Sequence, residues 1–215
     1  MAPRTAGGPG RYDAGIHALT LGRVTRLHEA VALAAVPAPG ARVLEIGCGS
    51  GAVTERLVER GAQLTVVEQN PEMLRAAQTR LAAKDSGTAV EWLEQTASEV
   101  DALGHAAFDA VVLSLVLSEM SASERSFVLR ESAQRLAPHG RVVAADEVLP
   151  IPRIHAGLFR LLRAPQALAG WLLVGSVSRP LADLPGELER AGLDPRSEER
   201  WLAGSLALCV AEIRP

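Results

Sequence analysis

The chain has 215 residues with 22 Lys and Arg against 25 Asp and Glu, a net charge of −3, 48% hydrophobic residues and 3% aromatic residues. That length suits one α/β domain with a substantial core, and the hydrophobic content excludes a disordered chain. The charge balance excludes an overall basic field for nucleic acid, and so few aromatics leave no base-stacking platform. Cys48 and Cys209 are the only cysteines, and neither stands in a CxxC pair or beside a histidine. They therefore provide neither a disulfide framework nor a zinc site, and no metal is expected. The opening MAPRTAGGPGRYDAG lacks an apolar core and is not a signal peptide. A cytoplasmic, reducing setting is expected.

In chain order, residues 1–10 are rich in Gly, Pro and small residues and are expected to be disordered. From Tyr12 to Ala35, apolar residues recur at helical spacing, predicting one or two amphipathic helices that end before Pro37. RVLEIG reads as a buried strand, and TERLVERG as a helix closed by Gly61. QLTVVEQ is a second strand, and Asn70 with Pro71 caps a helix running through Leu81. AVEWLE is a third strand and AFDAVVLSL a fourth. Ser121 and Glu124 form a capping box for a helix reaching Leu136. PHG is expected to turn the chain into a fifth strand, RVVAADEVL.

After an apolar stretch, LPGELERAGL is the last helix, followed by strands near Arg196–Leu202 and Leu206–Ile213. Alternating strands and helices imply a Rossmann-like doubly wound parallel sheet. Only Ala203-Gly204-Ser205 separates the last two strands, too few residues for a crossover, so they form an antiparallel hairpin at the edge of a seven-stranded sheet. The whole chain reads as one domain: an N-terminal arm (1–40), a core (41–149), a helical insert (150–180), and the last helix and hairpin (181–215).

Ligands of such sheets bind beyond the carboxyl ends of the strands, and the loop VLEIGCGSG sits there. Its glycines leave backbone amides uncovered, and Glu68 follows at the interval of about 20 residues expected of an acid that grips ribose hydroxyls. Gly47, Gly49 and Ala52 also satisfy the relaxed dinucleotide pattern GxGxxG/A, so an NAD(P)-dependent oxidoreductase is a rival reading. Against it, Glu45 would repel the phosphates of a dinucleotide, and it suits a cationic ligand end instead.

VLEIGCGSG, VVEQNPEML, FDAVVLSLVLSEM and RLAPHGRVV resemble, in order, the motifs of class I S-adenosylmethionine-dependent methyltransferases. The likeness covers roughly residues 41–149 and is closer to the ubiquinone/menaquinone-type branch. RYDAGIHALTLGR and VVAADEVLP resemble the corrinoid protein-associated methyltransferases. The resemblance implies S-adenosyl-L-methionine as cofactor and bacterial-type methylation of a small-molecule or lipophilic acceptor by in-line transfer. It implies that Glu45, Gly47, Cys48, Gly49 and Gly51 form the loop holding the methionine part. Glu68 resembles the ribose-binding acid, while Gln69 and Met73 should lie against the adenine. Thr96, with Ala97 next, stands where many relatives carry an Asp that contacts the adenine amino group. Ser114 resembles the residue near the methionine end, and Tyr12 and Arg23 could close over the cofactor.

Glu119 after the fourth strand and Asp146 and Glu147 at the end of the fifth are candidate general bases. Of the two adjacent acids, one must point away from the pocket if the strand persists. Residues Ile151 to Leu181 contain four arginines and no acid, with abundant leucine. They are expected to arch over the acceptor as a lid, with a homodimer contact or a membrane-surface contact as alternatives. A third functional class is a non-catalytic cofactor-binding module that works through a partner such as a corrinoid protein.

Overall fold

The computed structural model describes residues 10, 22, 24–84, 89–105, 107–150 and 179–214. Tyr12, Arg23 and nearly all of the arginine-rich insert lie outside the described residues, so the roles expected of them fall outside as well.

Helix α1 (Val24–Ala35) ends before Pro37 and buries Val24, Leu27 and Val31. The core then alternates β1 (Arg42–Ile46), α2 (Ala52–Glu59), β2 (Gln63–Val67), α3 (Pro71–Ala82) and β3 (Val90–Leu93). A short 3₁₀ turn (Ala97–Ala102) leads to β4 (Phe108–Ser114), a second 3₁₀ turn (Leu117–Glu119) and α4 (Ala122–Arg135). The remainder comprises β5 (Leu136–Glu147), α5 (Leu184–Arg190), β6 (Leu193–Trp201) and β7 (Leu206–Ile213). The seven strands lie in the order β3-β2-β1-β4-β5-β7-β6, parallel except for β7, which runs antiparallel to both β5 and β6. The edge hairpin is therefore as expected.

Local signals act where the sequence puts them. Asn70 Oδ1 accepts from the backbone N–H groups of Glu72 and Met73 at 2.9 and 3.4 Å, with Pro71 first in α3. Ser121 and Glu124 complete their reciprocal box at the start of α4. One expectation is corrected. PHG is not a turn that precedes β5, because pairing already begins at Leu136, opposite Phe108, and resumes at Arg141 opposite Ala110 after a register shift. His139 adopts φ 65°, and the segment bulges within the strand rather than separating it from α4.

The sheet divides the core into two layers. Alternate residues of the central strands (Val43, Val66, Val112, Val143) pack with α1, α2 and α3. Their neighbours (Leu44, Val67, Leu113, Val142) pack with α4 and α5. Because β1, β2 and β3 run in register (Ile46 opposite Val67, Val67 opposite Leu93), their carboxyl ends finish level. The loops that leave them share one rim.

Candidate cofactor site

β1 delivers the glycine loop to the centre of that rim, beside β4 and β2. Gly47 donates to Val67 O at 2.8 Å, which ties the loop to β2. Gly47 and Gly51 have φ of 75° and 83°. A Cβ on Gly51 would sit 2.8 Å from Ala77 Cα, and one on Gly47 would sit 2.6 Å from Val116 Cγ2. The glycines thus let the loop adopt left-handed backbone and lie directly against α3 and the post-β4 segment.

Glu68 joins these parts. Its Oε2 accepts from Gly49 N at 3.0 Å and its Oε1 from Asn70 N at 2.8 Å, so one carboxylate spans the glycine loop and the entrance to α3. The Gln69 backbone N–H is a third donor to the carboxylate, which leaves only part of its acceptor capacity for a ligand. Burial holds the Glu68 carboxyl above its ordinary value, opposed by those backbone donors.

Glu45 lies beneath the loop, 2% exposed, and accepts from Thr54 Oγ1 of α2 at 2.7 Å. Burial raises its pKa from 4.5 to about 7, and the charge of nearby Glu68 adds to the rise. Cys48 is also buried, its thiol pKa pushed up by burial. Two enclosed carboxyl groups flank the loop as a cradle in which an ammonium or sulfonium would draw them into their ionised forms, whereas a pyrophosphate would be repelled.

This arrangement has a pH signature. In the unfolded chain Glu45 ionises near 4.5, whereas in the fold it keeps its proton to about 7. Stability present below the lower value is therefore lost as pH rises to the upper one, then levels. The loss is on the order of 3 kcal/mol. Glu45→Gln should remove that slope. Urea melts across pH 4.5 to 7.5 should show the stability difference moving in favour of the variant as pH rises, and parallel profiles would refute the buried, protonated state.

Among the described residues, two buried polar atoms at the rim have no hydrogen-bond partner: Gln95 Oε1 just past β3 and Ser114 Oγ at the end of β4. A third such atom, Arg56 Nε, faces Glu29 Oε2 at 3.4 Å between α1 and α2. Buried polar atoms are ordinarily satisfied. The two orphans at the rim, the cationic preference of the cradle and the close glycine approaches fit an elongated, cationic nucleoside lying along the rim.

The other expected residues are placed as follows. Met73 is buried at the start of α3, while Gln69 is exposed beside it. Thr96 Oγ1 lies 2.8 Å from both Glu99 Oε2 and Ser98 Oγ, and Thr96 N donates to Glu99 Oε2 at 2.7 Å. Its hydroxyl is engaged in opening the 3₁₀ turn that begins at Ala97. Glu119 is exposed at the end of the turn after β4. Asp146 is fully buried, its oxygens accepting from Ser118 N at 3.1 Å and Glu147 N at 2.7 Å. Burial raises its pKa from 3.8 to about 6. Glu147, half-buried, projects from the opposite face of β5.

Sequence reading missed Arg135. This last residue of α4 is 1% exposed, and its guanidinium donates to Val100 O and Asp101 O, each at 2.9 Å, and to Glu131 Oε2 at 2.7 Å. It fastens the carboxyl end of the turn after β3. A terminal arginine on a helix reads as a surface residue, and only the distant carbonyls reveal its role.

Residues 43–140 match the family model described as "Methyltransferase domain". The chain is 29% identical over 209 residues to a ubiquinone biosynthesis O-methyltransferase of Xanthomonas campestris pv. campestris (strain B100), covering 87% of this chain and 83% of that protein. Its fold is shared with an O-methyltransferase family protein from Burkholderia thailandensis (TM-score 0.71, 20% identity, 91% of this chain and 58% of that one). It is likewise shared with magnesium protoporphyrin IX methyltransferase from Synechocystis PCC 6803, solved with bound SAH (TM-score 0.68, 19% identity, 88% and 83%). A [4+2]-cyclase, SpnF, has the same fold (TM-score 0.70, 17% identity, 88% and 81%), so fold alone does not select a reaction.

The seven-stranded sheet, parallel but for its C-terminal hairpin, is a Rossmann-like fold shared with methyltransferases. The methyltransferase-domain match over residues 43–140 and the O-methyltransferase relatives support a class I S-adenosylmethionine-dependent methyltransferase enzyme. Neither the nicotinamide-dependent oxidoreductase nor the non-catalytic binding module finds support in these relatives. Among the described residues, no helix is long and apolar enough to cross a membrane.

Proposed function

We propose that this enzyme methylates an oxygen of a small or lipophilic acceptor, with the cofactor laid along the rim from β4 to β3. The observation that carries the cofactor's place is Glu68, a buried carboxylate joining the glycine loop to α3 with part of its acceptor capacity to spare. The glycine loop and the Glu45 carboxyl beneath it take the amino-acid tail, the cation favouring that carboxyl's ionised form, while Glu68 takes the ribose diol and Ser114 borders the methionine end. The several O-methyltransferases matched at 28–29% identity support oxygen as the acceptor atom.

When bound, S-adenosylmethionine supplies a methyl group on a cationic sulfur. In-line attack by the acceptor oxygen forms the new C–O bond as the C–S bond breaks, and the acceptor's proton passes to a base. The protein aligns the acceptor and keeps water out, which can supply about 7–11 kcal/mol in well-oriented reactions. Glu119, exposed at the end of the turn after β4, is the proposed acceptor of that proton. Asp146 serves by fixing that turn: it accepts from Ser118 N, and Ser118 O in turn accepts from Arg179 N at 2.8 Å where the chain returns from the insert. The apolar and basic character of the insert's sequence favours a lipophilic, partly anionic acceptor over a corrinoid partner.

The test is direct. S-adenosylhomocysteine should bind in calorimetry, and methyl-labelled cofactor should label small phenols in preference to amines or thiols. Labelling of amines or thiols alone would overturn the oxygen acceptor. Failure to bind S-adenosylhomocysteine would overturn the site.

A further inference from the structure

Because β7 runs antiparallel to β5, the link between β6 and β7 comes up at the same rim as the carboxyl ends of β4 and β5. Glu147 stands opposite Leu206, and Leu206 opposite Trp201, which puts these three side chains on one face of the sheet. Glu45 and Ser114 lie on that face too, by alternation from Val43 and Val112, which pack there with Leu206 and Leu208. Trp201 and Leu202, both half-buried, pack against this same layer.

The hairpin tip is tied to the rest of the rim. Ser205 O accepts from Val148 N at 2.9 Å, and Ser205 Oγ donates to Leu202 O at 2.9 Å. Leu181 N donates to Glu147 O at 2.8 Å, and Leu149 N donates to Leu181 O at 2.9 Å. With Arg179 N on Ser118 O, one run of hydrogen bonds joins the turn after β4, both flanks of the insert and the tip.

Backbone strain collects along this run. Among the described residues, the non-glycine positions with left-handed backbone are Leu115, His139, Leu202 and Ala203. Leu115 (φ 57°) follows β4 at this rim, and Leu202 (φ 52°) and Ala203 (φ 54°) form the tip itself. Glycine or asparagine would relieve the strain at a tip that served only to reverse the chain. Residues held in such conformations cluster at ligand sites.

Neighbouring strands stand about 4.8 Å apart, so Trp201 on β6 lies three spacings, roughly 14 Å, from the end of β4. In the cofactor placement proposed above, the methyl group is delivered at that end of β4. A single aromatic ring reacting there falls short of the indole, whereas two fused rings reach it. We infer that the β6–β7 tip, through Trp201 and Leu202, forms the far wall of the acceptor pocket and selects a flat acceptor of two or more fused aromatic rings. The inference rests on the oxygen-acceptor reading above and deepens it. The indole supplies a broad apolar surface for offset or edge-to-face contact with the outer ring.

Initial rates with methyl-labelled cofactor and either phenol or 2-naphthol test it on the intact protein. Wild type should show a kcat/KM at least about tenfold higher for 2-naphthol, from the aromatic contact and the area the second ring buries. Trp201→Leu should lower that ratio at least about fivefold, chiefly through a higher KM for 2-naphthol, while S-adenosylhomocysteine affinity in calorimetry is retained. Trp201→Phe should restore most of the preference. Leu202→Ala, which lies outside the strand, replaces the leucine variant if the latter does not fold and should lower the ratio by roughly threefold.

An unchanged ratio in the leucine or alanine variant overturns the inference. So does a wild type that prefers phenol, or a loss shared equally by both acceptors, which would mark the tip as a structural part only. In each of these cases labelling of phenol leaves the oxygen acceptor standing. If S-adenosylhomocysteine binds and neither phenol is labelled, the oxygen acceptor and this inference fall together. If S-adenosylhomocysteine does not bind, the cofactor placement falls, and this inference with it.

Discussion

Replacing Glu68 by alanine is expected to weaken S-adenosylhomocysteine binding by more than tenfold and by about a hundredfold if both its functions are lost. The carboxylate does two things at once. It receives the backbone N–H groups of Gly49 and Asn70, and in the proposed cofactor placement its remaining acceptor capacity takes the ribose diol. Hydrogen bonds to a charged group contribute about 1.5–3 kcal/mol each, so losing two or more exceeds tenfold in affinity. Titration of the variant gives the affinity, and 2′-deoxy cofactor separates the two functions. If the acid holds the sugar, wild type should discriminate against the deoxy compound and the alanine variant should not. Equal discrimination in both proteins would reduce Glu68 to a structural brace, and unchanged affinity would remove it from the site.

The second large effect is on stability. Gly51→Ala should cost roughly 2–4 kcal/mol, combining the left-handed backbone penalty with overpacking. The added carbon would meet Ala77 at its backbone Cα as well as its Cβ, both at 2.8 Å, and α3 cannot yield without moving its whole length. Gly47→Ala should cost less, although its φ is similarly positive, because the nearest atom is the Cγ2 methyl of Val116, at the end of a side chain. Urea denaturation of both variants checks the order. An alanine at 51 as stable as wild type would mean that loop and helix do not pack as described. For a chain of this size the larger loss corresponds to a melting temperature lower by about 5–15 °C.

Much of this architecture is legible in the residues. Apolar runs locate the strands, Asn70-Pro71 and Ser121…Glu124 mark helix starts by local hydrogen bonding, and a three-residue link forces the final hairpin. The glycine loop and the acid that follows could be read because their spacing reflects one local unit, strand, turn and next strand. Features that depend on partners far along the chain could not be read. The burial of Arg135 requires the carbonyls of Val100 and Asp101, and the enclosure of Asp146 requires the Ser118 amide. The pairing of Leu136 requires Phe108 across a bulge, where local composition signals only a turn. Thr96 shows the same limit at the site itself, since its engagement with Glu99 and Ser98 becomes visible only in the folded turn.

The hairpin has a consequence for how molecules of this protein meet one another. β6 forms one margin of the sheet and carries Arg196, Glu198, Glu199 and Arg200 along its two faces, with Pro195 and a register shift interrupting it. A proline offers no N–H to an incoming chain, and charged side chains resist being dehydrated between two backbones. Edge-to-edge growth of one sheet onto the next is thereby opposed at the β6 margin for as long as the hairpin stays closed.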